Sequence, residues 1–293
     1  MVTKEIESNG LEITKSRTGL KRSAIQIKST IIFEWRRNLK NLIIMLCIAA
    51  AIYVLTLVIN LIQEYRTGES PEDLVDYIKS FLFMIDFLIL IIAASFGGSI
   101  ISEDYHSQTG NLVFPKITKA RLLTGRVIAR YLYSALTVIF FYLLVIITTL
   151  IKYGSVSELV WVSMVWSLLY TFLVLSFVVF FSSFMKSTSA TLITSILLIL
   201  IVFNLANMIL MFTGVTIEPF FILTYYALII TQSFAMPTTR YGEFAMGPTG
   251  EHGPTFMSWI TPSIEGAIVG MLIYSSILLI AAYFFFRRRQ QKQ

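Results

Sequence analysis

The chain has 293 residues, of which 56% are hydrophobic and 14% are charged, and its formal net charge is +6. Since about a quarter of the residues in an ordinary soluble domain are charged, this composition excludes that class and indicates an integral membrane protein. The excess of basic residues follows membrane orientation, so we expect no nucleic-acid partner.

The N-terminal forty residues divide into a polar tail and an amphipathic helix. Residues 1–19 are polar and mixed in charge, without the apolar core that a secretion signal needs. Residues 20–40 place apolar side chains at helical spacing. We predict an interfacial helix in the cytoplasmic membrane surface; the alternative is a cytoplasmic helix packed on another protein element. The apolar positions are Leu20, Ala24, Ile27, Ile31 and Trp35.

Six apolar blocks follow, each long enough to cross the hydrocarbon core as a helix. About 20 residues rising ~1.5 Å each cover the ~30 Å core, and a helix satisfies its own backbone hydrogen bonds there. We therefore predict an all-α integral membrane protein, a single transmembrane domain with six transmembrane helices. The predicted spans are residues 41–62, 80–101, 128–151, 159–185, 190–212 and 264–286.

The distribution of basic residues predicts the orientation of these spans. With six crossings both termini share one side, and that side also holds the loop between the second and third spans. It carries nineteen of the 23 Lys and Arg residues, leaving Arg66, Lys79, Lys152 and Arg240 opposite. By the positive-inside rule the N- and C-termini are cytoplasmic, in a multi-pass protein of the plasma membrane.

The third outer loop, residues 213–262, is the longest connection on the side opposite the termini. Its first half, from Pro219 to Met236, is apolar enough to resemble a seventh span. A seventh crossing would place the basic C-terminal tail outside, so we expect one or two short re-entrant helices before the last span. The rest is rich in glycine and proline and is predicted to form an outer cap.

The sequence has no pattern for catalysis, metal binding or cofactor binding. Its two histidines, His106 and His252, fall in loops on opposite sides of the membrane, and no H-E-x-x-H motif is present. The single cysteine, Cys47, lies in the first span, and the chain has no G-x-x-x-x-G-K-[ST] motif. We therefore expect no enzyme activity and no bound cofactor; an intramembrane protease is the least favoured alternative.

A few polar side chains in the spans and the outer loop are candidates for a translocation path. Asp86 is the one ionisable residue well inside a predicted span, about two turns from its outer end, where water or a partner would also satisfy it. For the asparagines of the fifth span, hydrogen bonds between helices are the commoner role. The candidate path residues are Asp86, Asn204, Asn207, Tyr225 and Tyr226.

The loop between the second and third spans, residues 102–127, is much longer than a connection between neighbouring helices needs. Its first part suits a short helix, Pro115 forces a break, and Thr118 can cap a second helix that leads into the third span. The apolar stretch from Leu112 to Phe114 needs a covering surface, either a partner or the bilayer. The residues predicted to contact a partner are Glu103, Asp104, Tyr105, Thr109, Gly110, Leu112 and Phe114.

This loop and the six-span arrangement resemble the ABC-2 type permeases, the membrane subunits of ABC exporters. The resemblance also includes the basic amphipathic helix, the cytoplasmic termini and the short outer helices. It departs where the family commonly has Gly-Thr and this chain has Thr109-Gly110, and where Arg126 stands in place of a commoner lysine. The matching residues are Ser102, Glu103, Asp104, Gly110, Leu112, Pro115, Thr118, Lys119, Leu122, Leu123, Gly125 and Arg126.

The resemblance implies that the loop contains a coupling helix that fits a groove on a separate cytoplasmic ABC ATPase subunit. It implies two permeases and two ATPases, with ATP and Mg²⁺ bound by the ATPases, and a homodimer of permeases or alternatively a heterodimer. The amphipathic helix would be a connecting helix beside the same interface, in contact with membrane lipids. The substrate is not indicated. The alternative from another class is an ATP-independent six-span protein, channel-like or a membrane assembly protein.

Overall fold

The computed structural model describes residues 20–67, 73–102, 118–213, 217–245 and 255–289. Within these ranges six helices are long and apolar enough to cross a membrane, which confirms the prediction of a six-helix membrane protein. The orientation of the termini stays a prediction. We name these helices the first to sixth spans: Leu39–Thr67, Leu74–Leu82 with Ile85–Gly97, Lys119–Tyr153, Leu159–Ser182, Thr188–Leu197 through Asn204–Thr213, and Ile264–Arg289.

The third span belongs to a longer helix that begins at Lys119, nine residues before the predicted residue 128. The first turns of this helix are basic, so the apolar pattern does not include them. They are helical nonetheless, because a helix needs apolar side chains only where it meets hydrocarbon. Thr118 stands at the N-cap, but its side chain makes no capping hydrogen bond. Gly154 ends the helix at φ +68°, a left-handed conformation that glycine adopts without strain.

Two spans contain a break in regular α-helix. The second span is interrupted at Phe83 and Met84, and it begins at Leu74, six residues before the predicted residue 80. The fifth span contains a π-helix over Leu198–Phe203. Irregular backbone at membrane depth is tolerated where it is buried in protein or lines a cavity. Both breaks therefore indicate that the space between the second and fifth spans is filled by protein or forms a cavity.

The fourth span is the centre of the bundle and packs against the second, third and sixth spans. Glycine lets the second span approach it, since a Cβ at Gly97 would lie 2.9 Å from Val178. The hydroxyl of Tyr142 on the third span hydrogen-bonds with Ser163 at 2.8 Å and with Ser167 at 2.7 Å. The first and fifth spans, in contrast, expose most of their apolar side chains, as helices that face lipid or another copy do.

The N-terminal helix, Leu20–Arg37, packs along the first turns of the third-span helix and runs parallel to it. A Cβ at Gly125 would lie 2.8 Å from Cβ of Thr30, so glycine permits this close approach. The ring of Trp35 stacks on Tyr133 with 4.7 Å between centroids, and the Tyr133 hydroxyl donates to the Trp35 carbonyl. The N-terminal helix is thus attached to protein from Ile27 to Trp35.

The apolar face that the sequence assigns to this helix lies partly against the third-span helix. Ile27, Ile31 and Trp35 are half-buried, and Leu20 begins the helix. A second apolar set on the same helix is exposed, so two faces rather than one carry apolar side chains. Its position at the membrane surface stays a prediction. The exposed apolar side chains are Ile25, Ile32 and Phe33.

The outer region combines a short buried helix with a β-hairpin, which the predicted all-α fold does not include. Within the outer segment, which we define as residues 219–236, a 3₁₀ turn over Leu223–Ala227 continues into an α-helix over Leu228–Gln232 and packs on the fourth span. Strands β1 (Tyr241–Ala245) and β2 (Thr255–Trp259) pair antiparallel. Aromatic residues on either side of a Gly/Pro-rich stretch are the hairpin signal, which the glycine content obscured.

Two glycines near the start of the sixth span make room for the outer segment. A Cβ at Gly266 would lie 3.0 Å from the ring of Phe220, and a Cβ at Gly270 would lie 2.9 Å from the ring of Tyr226. This G-x-x-x-G pattern can serve packing between helices. Here it admits two aromatic side chains of the outer segment within one chain.

Candidate functional site

Glu34 is the centre of a buried ionic cluster that joins the N-terminal helix to the third-span helix. Its carboxylate lies 3.3 Å from Nε of Arg126 and 3.2 Å from Nη2 of Arg130. Arg37 is 3.4 Å away, and the Asn38 amide donates to the carboxylate at 3.1 Å. Buried charges are tolerated when they are paired and hydrogen-bonded, and this carboxylate has both kinds of partner.

The cluster also reaches the ends of the second and fourth spans. Nη1 of Arg126 donates to the carbonyl of Ile100 at 2.8 Å. The backbone N–H groups of Ile101 and Ser102 each donate to Oγ of Ser182 at 3.1 Å. Four helices therefore meet at one place, which we call the joint. Its residues are Glu34, Ile100, Ser102, Arg126, Arg130 and Ser182.

The joint contains residues from both sides of the loop that is predicted to contact a partner. Ser102 precedes residues 103–117, and the helix that begins at Lys119 follows them. Arg126 and Arg130 lie about two and three turns into that helix. A displacement of the loop would thus reach the spans through the joint. The predicted contact residues lie outside the described residues: Glu103, Asp104, Tyr105, Thr109, Gly110, Leu112 and Phe114.

Glu34 belongs to no recognised sequence motif, although a signal for it is present. It is the only acidic residue of the N-terminal helix, in which five residues are Lys or Arg. A lone acid among apolar and basic side chains is costly to bury unless it is paired. Arg126 and Arg130 are four residues apart and share one face of a helix, where one carboxylate can reach both.

A second candidate site is a cleft of about 310 Å³ between the second span, the fifth span and the outer segment. It brings together four of the five residues proposed for a translocation path: Asp86, Asn204, Asn207 and Tyr225. Further hydroxyl groups come from the fourth span and the outer segment. These additional polar residues, which sequence reasoning missed because they lie in otherwise apolar stretches, are Tyr170, Thr224 and Thr231.

Asp86 lies midway along the second span rather than near its outer end. It comes twelve residues after Leu74 and eleven before Gly97, so each end is about 17 Å away along the helix. The expectation of about two turns was counted from residue 80; counted from the observed helix start at Leu74, the distance is about three turns. Among the described residues, no lysine or arginine forms an ion pair with Asp86.

Both irregular stretches of backbone line this cleft. Phe83 comes from the break in the second span, and Ile199 and Leu200 come from the π-helix of the fifth. Nδ2 of Asn204 donates to the Leu200 carbonyl at 2.8 Å and so satisfies a backbone group of the π-helix. A π-helix within an α-helix is uncommon and often marks a functional site. The second and fifth spans therefore both depart from regular α-helix where they line the cleft.

Polar contacts hold the outer segment over the cleft. The Tyr225 hydroxyl donates to Oε1 of Glu218 at 3.0 Å, and Nη1 of Arg240 donates to the same oxygen at 2.9 Å. Burial, and then the neighbouring Glu218, raise the pKa of Tyr225, so its phenol stays a neutral donor. Tyr226 does not line the cleft; its hydroxyl donates to the Phe220 carbonyl at 2.9 Å and fixes the segment internally.

Comparison with family models finds none that matches the chain, and comparison with curated protein sequences finds no significant match. Within the part of the chain that the structure describes, no group of three or more His, Cys, Asp or Glu is placed to hold a metal ion. The joint and the cleft are therefore the two candidate functional sites of the described residues.

Proposed function

We propose that this chain is the transmembrane permease subunit of an ATP-driven exporter of the ABC-2 type, acting in the plasma membrane as one of two permease copies with two ATPase subunits. The chain supplies the substrate path and the surface that couples it to the ATPases. ATP and Mg²⁺ are bound by the ATPase partner. The loop pattern from Ser102 to Arg126 supports the proposal by resemblance, and the joint supports it physically.

The joint is the observation that carries this proposal. A loop that only reconnects two spans has no need of a buried ionic cluster at its base, because taking charges out of water costs several kcal/mol per ion. A loop that receives force from a partner must be attached to several helices at once. The contacts of Glu34 with Arg126 and Arg130, and of Arg126 with Ile100, provide this attachment.

In the proposed mechanism, ATP binding draws the two ATPases together and displaces the loop of each permease. The helix that begins at Lys119 moves with the loop. Through Arg126 it moves the end of the second span, and through Glu34 it moves the N-terminal helix, which leads into the first span at Leu39. Three spans shift together, as packed elements with discrete arrangements do. The second span carries Asp86 within the cleft.

The cleft is the proposed substrate path, and the outer segment is its proposed outer closure. Ionisable residues inside membrane spans commonly face substrate or ion pathways, because they are costly elsewhere in the bilayer. Tyr225 of the outer segment lines the same cleft as Asp86, midway along the second span. This proximity supports a re-entrant position for the outer segment.

An ATP-independent six-span protein is the rival from another class. A channel-like conduit would line its path with a polar stripe from one span, whereas the polar groups of this cleft come from the second, fourth and fifth spans and the outer segment. A membrane assembly protein would need no carboxylate midway along a span. Neither rival applies force to residues 103–117, so neither accounts for the joint at the base of that loop.

Affinity purification of the tagged chain from its native membranes tests the proposal. We expect stoichiometric recovery of a subunit with a G-x-x-x-x-G-K-[ST] sequence and Mg²⁺-dependent ATP hydrolysis in the eluate. Changing the lysine of that motif in the partner should abolish the hydrolysis, which serves as the control for contaminating ATPases. Recovery of the intact chain without any such subunit, from membranes in which it is expressed, would support the ATP-independent rival.

A further inference from the structure

We infer that the cleft at Asp86 binds an organic cation with an apolar body, of the alkyl- or aryl-ammonium class, and that such a cation is what the permease moves. Transport of this cation rests on the proposed transport function. Binding of the cation to the cleft does not, and it is tested on the chain without an ATPase.

One carboxyl group and no basic side chain line the cleft. Asp86 is the only acidic residue among the lining residues, which include no lysine, arginine or histidine. Three of the four basic residues on the predicted outer side pair with other acids, and the fourth, Arg66, does not line the cleft. A carboxylate midway along a span is costly unless something neutralises it. These other pairs are Lys79 with Asp76, Lys152 with Glu64, and Arg240 with Glu218.

A proton would neutralise Asp86 as well, but the size and walls of the cleft indicate a larger ligand. Its volume of about 310 Å³ lies at the lower end of the ~300–1,000 Å³ that small-molecule sites occupy. Four aromatic side chains line it, and aromatic faces attract organic cations by cation–π interaction. A site made for a proton or a bare ion needs neither the room nor the rings. The aromatic residues are Phe83, Phe87, Tyr170 and Tyr225.

The neutral polar groups also suit a cation. Asn204, Asn207, Thr224 and Thr231 can each offer an oxygen acceptor to an ammonium N–H or to its polarised methyl groups. One N–H of the Asn204 amide donates to a backbone carbonyl, and its oxygen is an acceptor for a ligand. An anion, in contrast, is usually bound by arginine or lysine, and neither lines this cleft.

The experiment measures binding of phenyltrimethylammonium to the purified full-length chain in detergent by isothermal titration, without ATPase or ATP. Benzenesulfonate, an anion of similar size, is the matched probe. We expect the cation to bind and the anion not to bind. Equal binding of the two probes by the wild-type chain, or no binding of the cation, would overturn the inference without any variant.

Three variants locate the charge that recognises the cation. Asp86→Asn should weaken binding at least about tenfold, while Asp86→Glu should retain it. Asp76→Asn removes an exposed carboxylate from the same span and should leave binding unchanged. An Asp86→Asn chain that elutes as a single species and binds the cation as the wild type does would overturn the inference.

The outcomes for ligand and function are distinguishable. A chain that co-purifies with an ATPase but fails to bind the cation retains the permease function and loses the ligand class. A chain that binds the cation through Asp86 but recruits no ATPase retains the site and loses the ATP-driven mechanism.

Discussion

Glu34 and Arg130 form a salt bridge of 3.2 Å in which each side chain is only 1% exposed. The two residues are 96 positions apart, on the helix that leads into the first span and on the helix that leaves the loop. Removing one partner of a buried pair leaves the other charge uncompensated. This bridge is therefore the most direct means of perturbing the joint.

Glu34→Gln should destabilise the chain much more than Glu64→Gln. Breaking a buried ion pair costs about 3–5 kcal/mol, whereas an exposed pair is worth about 0–1 kcal/mol. Glu64 pairs with Lys152 at 2.8 Å, but these side chains are 34% and 28% exposed. Thermal unfolding of the two purified variants in the same detergent measures the difference. Equal shifts in midpoint would show that the joint contributes no more than a surface pair.

Gly270→Ala should loosen the outer segment, because the added Cβ would meet the ring of Tyr226. The expected result is several-fold faster trypsin cleavage after Arg240, whose ion pair with Glu218 depends on the position of that segment. Tyr226→Leu, combined with Gly270→Ala, relieves the contact and should restore much of the protection. A double variant cleaved as fast as the single one would contradict this explanation.

Cysteine labelling should place residue 107 in the cytoplasm and residue 65 outside. Cys47 is exposed on the first span, so it is first replaced by serine. Ser107→Cys should then react with an impermeant maleimide only after the cells are opened. Tyr65→Cys, at a side chain that is 91% exposed at the outer end of the first span, should react in intact cells. The reverse pattern would overturn the orientation drawn from the basic residues.

The six spans could be predicted from the sequence because the length of an apolar block reads directly as membrane thickness. The ends of the helices beyond the hydrocarbon core could not be predicted in this way. The helix at Lys119 begins in a basic stretch, and the second span begins at Leu74 within a mixed one. The π-helix of the fifth span leaves its apolar pattern intact, so no signal distinguishes it from regular helix.

The two sites differ in how visible they are in the sequence. Asp86, Asn204 and Asn207 stand out because polar side chains are rare in apolar spans, and the cleft does collect them. Glu34 is marked only as the lone acid of its helix, and the sequence gives no indication that it contacts Arg130, 96 positions away. Basic residues near a loop are usually interpreted as a sign of membrane orientation. Here Arg126 and Arg130 also form a buried contact with Glu34.

In the proposed function, residues 103–117 couple this chain to an ATPase. The most direct test is the amount of Walker-motif ATPase that co-purifies with the Leu112→Asp, Phe114→Asp double variant, with Gln108→Glu in the same loop as the control. We predict that the double variant is folded in the membrane but has lost the ATPase, while the control retains it. ATPase recovery at the wild-type level with the double variant would contradict the account.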